Sequence, residues 1–336
     1  MREAMLYERL ENQKVQCYLC SHRCVIKNQK RGICGVRENQ DGRLQSLVYA
    51  RVIAKHVDPV EKKPLFHFQP GSHTYSIATV GCNFRCLFCQ NADISQMPRE
   101  IKRIMGEEFP PEQVLLAARQ NRCQSISYTY TEPTIFFEYA YETAKLAHAA
   151  GMKNIFVSNG YMTPETLDEI EPYLDAANVD LKSFSNDFYK EQCGAKLAPV
   201  LESLQKLKAM GVWLEITTLL IPTLNDGDRE LSDIAEFIAK LGPETPWHVS
   251  RFHPTYKLRS ISSTPVTALK RAREIGLEAG LRYVYTGNVP GDQGEKTLCH
   301  HCGRVLIDRF GFATGQYAIR KGLCPDCKTP VAGVEM

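Results

Sequence analysis

The sequence predicts an α/β protein, a partial (β/α)6 TIM-like barrel with a small cysteine-rich module before it and a zinc-ribbon-like module after it. Between about residue 75 and residue 290, short apolar, β-branched runs alternate with longer helix-like stretches. The cysteines fall mainly into three groups, one before, one inside and one after this region. Because the chain has 336 residues and 43% hydrophobic composition, we expect one large core with attachments, divided as 1–70, 71–292 and 293–336.

Six runs have the length and composition of buried strands: 76–80, 125–128, 154–158, 177–180, 213–219 and 247–250. Pro110 and Pro111 open the first intervening helix, Pro133 opens the second, and Gly151 ends it. Polar residues follow each strand, and the carboxyl ends of parallel barrel strands meet at one mouth, so the six loops should converge. An open doubly wound sheet is the alternative, but no Gly-x-Gly-x-x-Gly follows the first strand.

The central cysteine group follows the first predicted strand. Cys82, Cys86 and Cys89 have the spacing C-x3-C-x2-C, one ligand short of the four that close a structural zinc site. A 4Fe-4S cluster held by three thiolates keeps one iron open for a substrate or cofactor. The pattern predicts such a reactive cluster; the alternative is zinc with a fourth ligand such as His73.

The C-terminal cysteines form two C-x2-C pairs, and four soft ligands on two short knuckles fit tetrahedral zinc. Alternating apolar and polar residues between the pairs predict the hairpins of a ribbon. We favour zinc over an auxiliary iron–sulfur cluster or a rubredoxin-like iron, in a small domain that could also dock a partner. The predicted ligands are Cys299, Cys302, Cys324 and Cys327.

The N-terminal cysteines have the irregular spacing C-x2-C-x3-C-x9-C. This set is compatible both with zinc and with an auxiliary 4Fe-4S cluster. Because all four ligand positions would be filled by cysteine, neither is expected to perform substrate chemistry. The residues are Cys17, Cys20, Cys24 and Cys34.

Two cysteines stand outside these groups. Cys123 precedes a predicted strand and is interpreted as buried packing. Cys193 lies beyond the fourth strand, where a reactive thiol near the mouth and inert packing are the two readings.

Charge is nearly balanced, with 41 basic and 38 acidic residues, which gives no reason to expect nucleic acid as a partner. No run reaches the roughly 18 apolar residues of a membrane span, and the first residues do not form a signal peptide, so we expect a cytoplasmic protein. We interpret the basic pair Lys62 and Lys63, and residues 99–103, as solvated surface.

The cysteine spacing, with Phe88 just before the last cysteine, resembles the signature of the radical S-adenosylmethionine (SAM) superfamily. The resemblance implies that the open iron binds SAM and that reductive cleavage yields methionine and a 5'-deoxyadenosyl radical, which abstracts hydrogen from a substrate. Phe84 and Phe88 are core or adenine-stacking aromatics.

The resemblance also implies SAM contacts. Glu132 lies where related enzymes carry Gly-Gly-Glu, although Tyr130 and Thr131 replace the glycines here. Further contacts match glycyl-radical activating enzymes, which have Asn-Gly after the third strand, Asp-Leu-Lys after the fourth and a histidine near the cofactor. Cys193 and His253 are also candidates for a catalytic role. The matching contact residues are Asn159, Gly160, Asp180, Lys182 and His253.

The whole chain resembles the AmmeMemoRadiSam system radical SAM enzymes, which are related to pyruvate formate-lyase activating enzyme. The stretches that carry this resemblance are CYLCSHRC, GICGVREN, DPVEKKPLFHFQPGS, TVGCNFRCLFCQNADISQ, SYTYTEPTIF, VSNGY, VDLKSF, RFHPTYKL, TGNVPG, CHHCG and CPDC. It implies an oxygen-sensitive enzyme that acts with partner proteins of that set and a flavodoxin- or ferredoxin-like electron donor. The alternatives are an activating enzyme for a glycyl-radical enzyme and a non-catalytic zinc-ribbon binding protein.

Overall fold

The structure, a computed structural model, describes residues 1–289 and 291–336; Pro290, within the stretch TGNVPG, lies outside the described residues. The strands of the described chain are β1 (Arg2–Glu3), β2 (Tyr7–Arg9), β3 (Val15–Cys17), β4 (Val25–Ile26), β5 (Arg37–Gln40), β6 (Arg43–Ser46), β7 (Arg51–Val52), β8 (Ala54–Pro59), β9 (His73–Ala78), β10 (Glu107–Glu108), β11 (Ser125–Tyr128), β12 (Lys153–Ser158), β13 (Ala176–Asp180), β14 (Trp213–Leu220), β15 (Trp247–Arg251), β16 (Val284–Gly287), β17 (Thr297–Leu298), β18 (Val305–Phe310) and β19 (Ala313–Tyr317). The α-helices are α1 (Ala92–Ser95), α2 (Met97–Glu100), α3 (Pro111–Gln120), α4 (Phe137–Ala149), α5 (Pro164–Ile170), α6 (Asn186–Phe188), α7 (Ala198–Ala209), α8 (Asp228–Leu241) and α9 (Val266–Glu278).

An eight-stranded sheet in the order β16-β15-β14-β13-β12-β11-β9-β8 forms the centre of the molecule. From β9 to β16 its strands are parallel and follow sequence order, with helices in the connections, as in a (β/α) barrel. Within the described chain no strand joins the edges β8 and β16, so the barrel is partial. The predicted fold class is confirmed.

Each predicted strand corresponds to an observed one, namely β9 and β11 to β15. Sequence reasoning missed the two edges. β16 has only four residues. β8 has five exposed or half-exposed positions, Lys55 and His56 among them, and so resembles a linker. β8 pairs antiparallel with β9, so the predicted N-terminal module, residues 1–70, includes a strand of the central sheet.

The predicted helix boundaries rest on proline and glycine, and the structure confirms them. α3 begins at Pro111 after an extended Pro110, and a single 3-10 turn that starts at Pro133 leads into α4. Gly151 follows α4 with φ +74°, a left-handed conformation that favours glycine.

The connector between β8 and β9 closes the floor of the barrel. The backbone N–H groups of Phe66 and His67 donate to the Glu215 carboxylate of β14 at 3.0 and 2.8 Å, and His248 of β15 donates at 2.6 Å. Burial opposes ionisation of Glu215, but the hydrogen bond from His248 outweighs it and lowers the pKa of the carboxyl. A buried anion thus joins the connector to two barrel strands.

The C-terminal ribbon, β17 to β19, packs against the same connector. Arg309 of β18 is buried, donates to the backbone oxygen of Phe66 and to Thr297 Oγ1 at 2.7 Å each, and lies 4.3 Å above the Phe66 ring. Thr314 Oγ1 donates to Glu61 at 2.8 Å. The connector therefore joins the ribbon to the barrel.

Within residues 1–289 and 291–336, no helix has the length and apolar character to span a bilayer.

Candidate active site

A cavity of about 540 Å³ lies at the carboxyl ends of the parallel strands. Its wall includes residues that end or follow each of the six predicted strands, so the predicted convergence of the loops is confirmed. The wall also includes the three central cysteines. The lining residues from the six strand ends include Cys82, Cys86, Cys89, Glu132, Asn159, Asp180, Lys182, Thr217 and Ser250.

Backbone hydrogen bonds hold the cysteine loop in place. Arg85 N donates to the oxygen of Cys193, and Leu87 N donates to the oxygen of Gln192, at 2.9 Å each. Before the loop, Gly81 has φ +105°, and a Cβ there would lie 2.6 Å from Val36 Cγ1. The loop therefore requires glycine at this position.

The spacing of the three thiols does not suit one zinc ion. In the described chain, no three potential ligand atoms at this loop lie within 4.8 Å of one another, whereas the ligands of tetrahedral zinc lie about 3.8 Å apart. His73 is exposed at the amino end of β9, roughly 17 Å of strand from the mouth. It is not a fourth ligand.

Cys86 is buried, Cys82 and Cys89 are half-buried, and the pKa of all three thiols is raised. Burial raises the pKa of Cys82, while a hydrogen bond with Cys193, followed by burial, raises that of Cys86. Metal binding displaces such protons. Three thiols around one cavity fit an iron–sulfur cluster with an open iron.

Glu132 is 1% exposed, and its carboxylate organises the turn after β12. It accepts from Asn159 N at 2.8 Å, Ser158 Oγ at 2.8 Å, and the hydroxyl and N–H of Thr134 at 2.6 and 3.1 Å. Burial nevertheless raises the pKa of Glu132. The side chain therefore reaches the cavity wall already engaged with protein donors.

Tyr130 and Thr131 replace the two glycines of the related motif. Tyr130 nevertheless has φ +62°, a conformation that side chains other than glycine rarely adopt. Its hydroxyl donates to Asp58, and Lys63 Nζ lies 4.4 Å from its ring. These contacts hold a glycine-like backbone at the cavity wall.

The structure separates Asn159 from Gly160. Asn159 lines the cavity and donates to Asn83 Oδ1 at 2.7 Å, beside Cys82. Gly160 does not line it; a Cβ there would lie 2.8 Å from Val179 Cγ1. Its backbone freedom and small size allow the turn that presents Asn159.

Lys182 and Asp180 form an ion pair on the cavity wall, with Lys182 Nζ 2.7 Å from Asp180 Oδ2 and 5.9 Å from the Phe88 ring centre. Burial disfavours the ammonium charge, but Asp180 outweighs this and raises the pKa of Lys182. The lysine therefore stays cationic beside the cysteine loop. Phe88 is 3% exposed and packs against Phe188, 5.9 Å between ring centres.

The two candidate catalytic residues lie outside the cavity wall. Cys193 is fully buried behind Cys86, so the packing reading fits it better than the reactive one. His253 is exposed, and its Nδ1 lies 3.2 Å from Ser263 Oγ. Neither contacts the space that the cysteines share.

Sequence reasoning missed a polar group from the connector. Lys63 lines the cavity, is 1% exposed, and donates to Asp58 Oδ2 at 2.6 Å. Burial lowers the pKa of Lys63 to about 8. The solvated-surface interpretation was wrong for this residue, because the connector passes beneath Tyr130 and buries it; Lys62 remains half exposed.

A second missed contribution comes from the ribbon. Phe312, in the turn between β18 and β19, lines the cavity while remaining 50% exposed. The C-terminal module thus reaches the mouth of the barrel. Its two C-x2-C pairs predict a metal site but not this contact with the cavity.

The C-terminal cysteines form a compact ligand set. The Sγ atoms of Cys299 and Cys327 lie 3.5 Å apart, those of Cys302 and Cys324 lie 3.7 Å apart, and all four lie within 4.8 Å of one another. These distances match a single tetrahedral ion.

Comparison with known proteins agrees with this geometry. The sequence model of the radical SAM superfamily matches residues 76–238. An uncharacterized protein of Methanocaldococcus jannaschii is 47% identical over 313 residues, covering 93% of this chain and 92% of its own. The pyruvate formate-lyase-activating enzyme of Staphylococcus epidermidis is 23% identical over 64% of this chain and 90% of its own. Streptococcus suis SuiB bound to S-adenosylmethionine shares the fold at 14% identity and TM-score 0.51, over 68% of this chain and 53% of its own.

The chain therefore belongs to the radical SAM superfamily. Within it, the chain is homologous to pyruvate formate-lyase activating enzymes.

Proposed function

We propose that this protein is an enzyme that holds a 4Fe-4S cluster on Cys82, Cys86 and Cys89 and uses it to cleave SAM. When bound, the cluster and SAM supply a 5'-deoxyadenosyl radical that abstracts hydrogen from a substrate. The observation that carries the proposal is one cavity of about 540 Å³ lined by three thiols too far apart for a single zinc.

The residues around the cavity have separate tasks in this proposal. Glu132 fixes the backbone of Asn159, so the Asn159 side chain meets SAM in one orientation. Lys182 places a cation beside the cysteine loop, where it attracts the carboxylate of the methionine part. Phe84 and Phe88 exclude water from the thiols.

The chain also needs an electron source and partners. We propose a flavodoxin- or ferredoxin-like donor and, from the resemblance, partner proteins of the AmmeMemoRadiSam set. A reducing compartment such as the cytoplasm keeps the thiols available for metals. We propose zinc for the C-terminal site on its distances.

The test is anaerobic reconstitution, followed by reduction with dithionite in the presence of SAM. We expect 5'-deoxyadenosine and a SAM-dependent change in the electron paramagnetic resonance (EPR) spectrum of the cluster. Cys86→Ala should abolish both, while Cys123→Ala, a buried cysteine outside the three groups, should retain both. A loaded and reducible protein that neither cleaves SAM nor changes its spectrum contradicts the proposal.

A second candidate is an activating enzyme for a glycyl-radical enzyme, favoured by the homology to the pyruvate formate-lyase-activating enzyme. A glycyl radical EPR signal on an added partner enzyme would support it. If the protein were instead a non-catalytic zinc-ribbon binding protein, Cys86→Ala would still contain zinc, and neither the parent protein nor any variant would cleave SAM.

A further inference from the structure

The N-terminal cysteines surround one small cavity. Cys17 ends β3, while Cys20 and Cys24 lie before β4 and Cys34 lies before β5. All four line a cavity of about 20 Å³, whose remaining walls are mainly isoleucine and leucine side chains. The cavity is thus built from four thiols, a mainly apolar shell and one arginine.

The spacing of these thiols differs from that of the zinc-like site. In the described chain, only the C-terminal group brings three or more ligand atoms within 4.8 Å of one another. Neither the N-terminal thiols nor Cys82, Cys86 and Cys89 do so. In this respect the N-terminal set resembles the loop of Cys82, Cys86 and Cys89, which the superfamily uses for an iron–sulfur cluster, and differs from the zinc-like site.

The cavity is not explained by packing or by water. Protein interiors close voids of this kind, and a buried water needs two to four polar partners. Thiols are weak partners, the aliphatic wall offers none, and Arg37 is the only strongly polar side chain among the described lining residues. A soft, sulfur-rich group fits this lining better than water.

Arg37 supplies an independent observation. It lines the cavity, is 1% exposed, and donates from Nη1 to Cys17 Sγ at 3.2 Å. Its Nε has no hydrogen-bond partner among the described residues. A zinc ion offers no acceptor beyond the thiolates, but the inorganic sulfides of a cluster accept hydrogen bonds.

We propose that Cys17, Cys20, Cys24 and Cys34 hold a second 4Fe-4S cluster, closed by four thiolates and hydrogen-bonded by Arg37. With every iron ligated, this cluster exchanges electrons but does not bind SAM.

The second site adjoins the first. Arg99 donates from Nε to the oxygen of Ile33 and from Nη2 to the oxygen of Cys82, at 2.7 Å each, and so joins the two cysteine loops. His22 also contacts the oxygen of Asn83 at 2.9 Å. Two reduced clusters here should therefore interact magnetically.

The first test asks which metal remains when the open site is removed. In Cys82→Ala/Cys86→Ala/Cys89→Ala, reconstituted with iron and sulfide, we expect about four irons and one zinc per chain and a 4Fe-4S Mössbauer signature. This result does not depend on SAM cleavage, so it separates this proposal from the proposed function. About two zincs per chain, or no iron, overturns the proposal.

The second test removes the closed site. Cys20→Ala/Cys24→Ala should lose about four irons per chain relative to the matched control Cys123→Ala, and the zinc content should stay unchanged. In the parent protein with both sites reduced, the EPR spectrum should be broadened by coupling, and in each single-site variant it should not. If Cys20→Ala/Cys24→Ala does not fold, the iron and zinc content of Cys82→Ala/Cys86→Ala/Cys89→Ala still identifies the metal of the N-terminal site. An unchanged iron content in Cys20→Ala/Cys24→Ala, or a parent EPR spectrum without coupling, contradicts the proposal.

Discussion

At the scale of single residues, the cavity wall depends on charges that the protein itself holds in place. Glu132 is the example, since its carboxylate accepts from the turns after β11 and β12. The sequence predicts an acidic residue at this point but not its partners, because Ser158 and Asn159 lie more than twenty residues away in the chain. Only the fold brings them together.

Glu132→Gln should weaken SAM binding without removing the cluster. The amide presents an N–H₂ group to donors and leaves one of them unpaired, which costs the turn about 1–2 kcal/mol. Because this turn orients Asn159 toward SAM, we expect its loosening to weaken binding by up to roughly tenfold. Anaerobic titration calorimetry of reconstituted protein measures the change. Glu169→Gln, exposed on α5, is the matched control. Unchanged SAM affinity in Glu132→Gln would show that the turn tolerates the loss.

At the scale of elements, the strands and their order follow from sequence patterns, whereas contacts between modules do not. Each buried strand has a β-branched run with breakers beside it, which is local information. The packing of Gly81 against Val36 joins the cysteine loop to the N-terminal module across 45 positions, and no local pattern encodes it. In the sequence, the glycine at position 81 is the only indication of this close contact.

Gly81→Ala should destabilise the protein and impair loading of the open site. The alanine would have to adopt φ +105°, and its Cβ would lie 2.6 Å from Val36 Cγ1. We therefore expect the free energy of unfolding to fall by about 3 kcal/mol. Gly211→Ala is the control, because it has φ +76° but no atom within 4 Å of the new Cβ. Its expected cost is about 1 kcal/mol. Urea unfolding and iron content measure both; equal losses would rule out a role for the Val36 contact.

At the scale of the whole molecule, the connector determines how the parts assemble. Residues 60–69 contact the barrel floor through Glu215 and the ribbon through Arg309, and Lys63 reaches the active-site cavity. The charge and proline content of this segment is typical of a connector between modules. Its burial could not be predicted because each buried charge is offset by a partner distant in sequence, and composition does not reveal such pairs.

His67 in this connector should make the assembly sensitive to acid. Its Nδ1–H donates to the oxygen of Ala332 at 2.7 Å, and its Nε2 accepts from the hydroxyl of Tyr285 at 2.6 Å, so the ring fits its site in the neutral form. Burial lowers the pKa of His67 to about 4. Between about pH 6.5 and 4 the unfolded chain therefore binds a proton that the folded chain does not.

The contribution of neutral His67 to the free energy of unfolding should accordingly be complete above pH 6.5. The free energy of unfolding should then fall by about 3 kcal/mol as the pH decreases to 4. Glu215, whose pKa is lowered, stays ionised over most of this window and adds little to the change. His67→Asn retains a donor for Ala332 but has no ring to protonate, and should lose this part of the pH dependence. Urea unfolding at several pH values measures the slope, with the exposed His73→Asn as control. If His67→Asn keeps the slope of the parent protein, another group causes the acid sensitivity, because only the buried ring is removed.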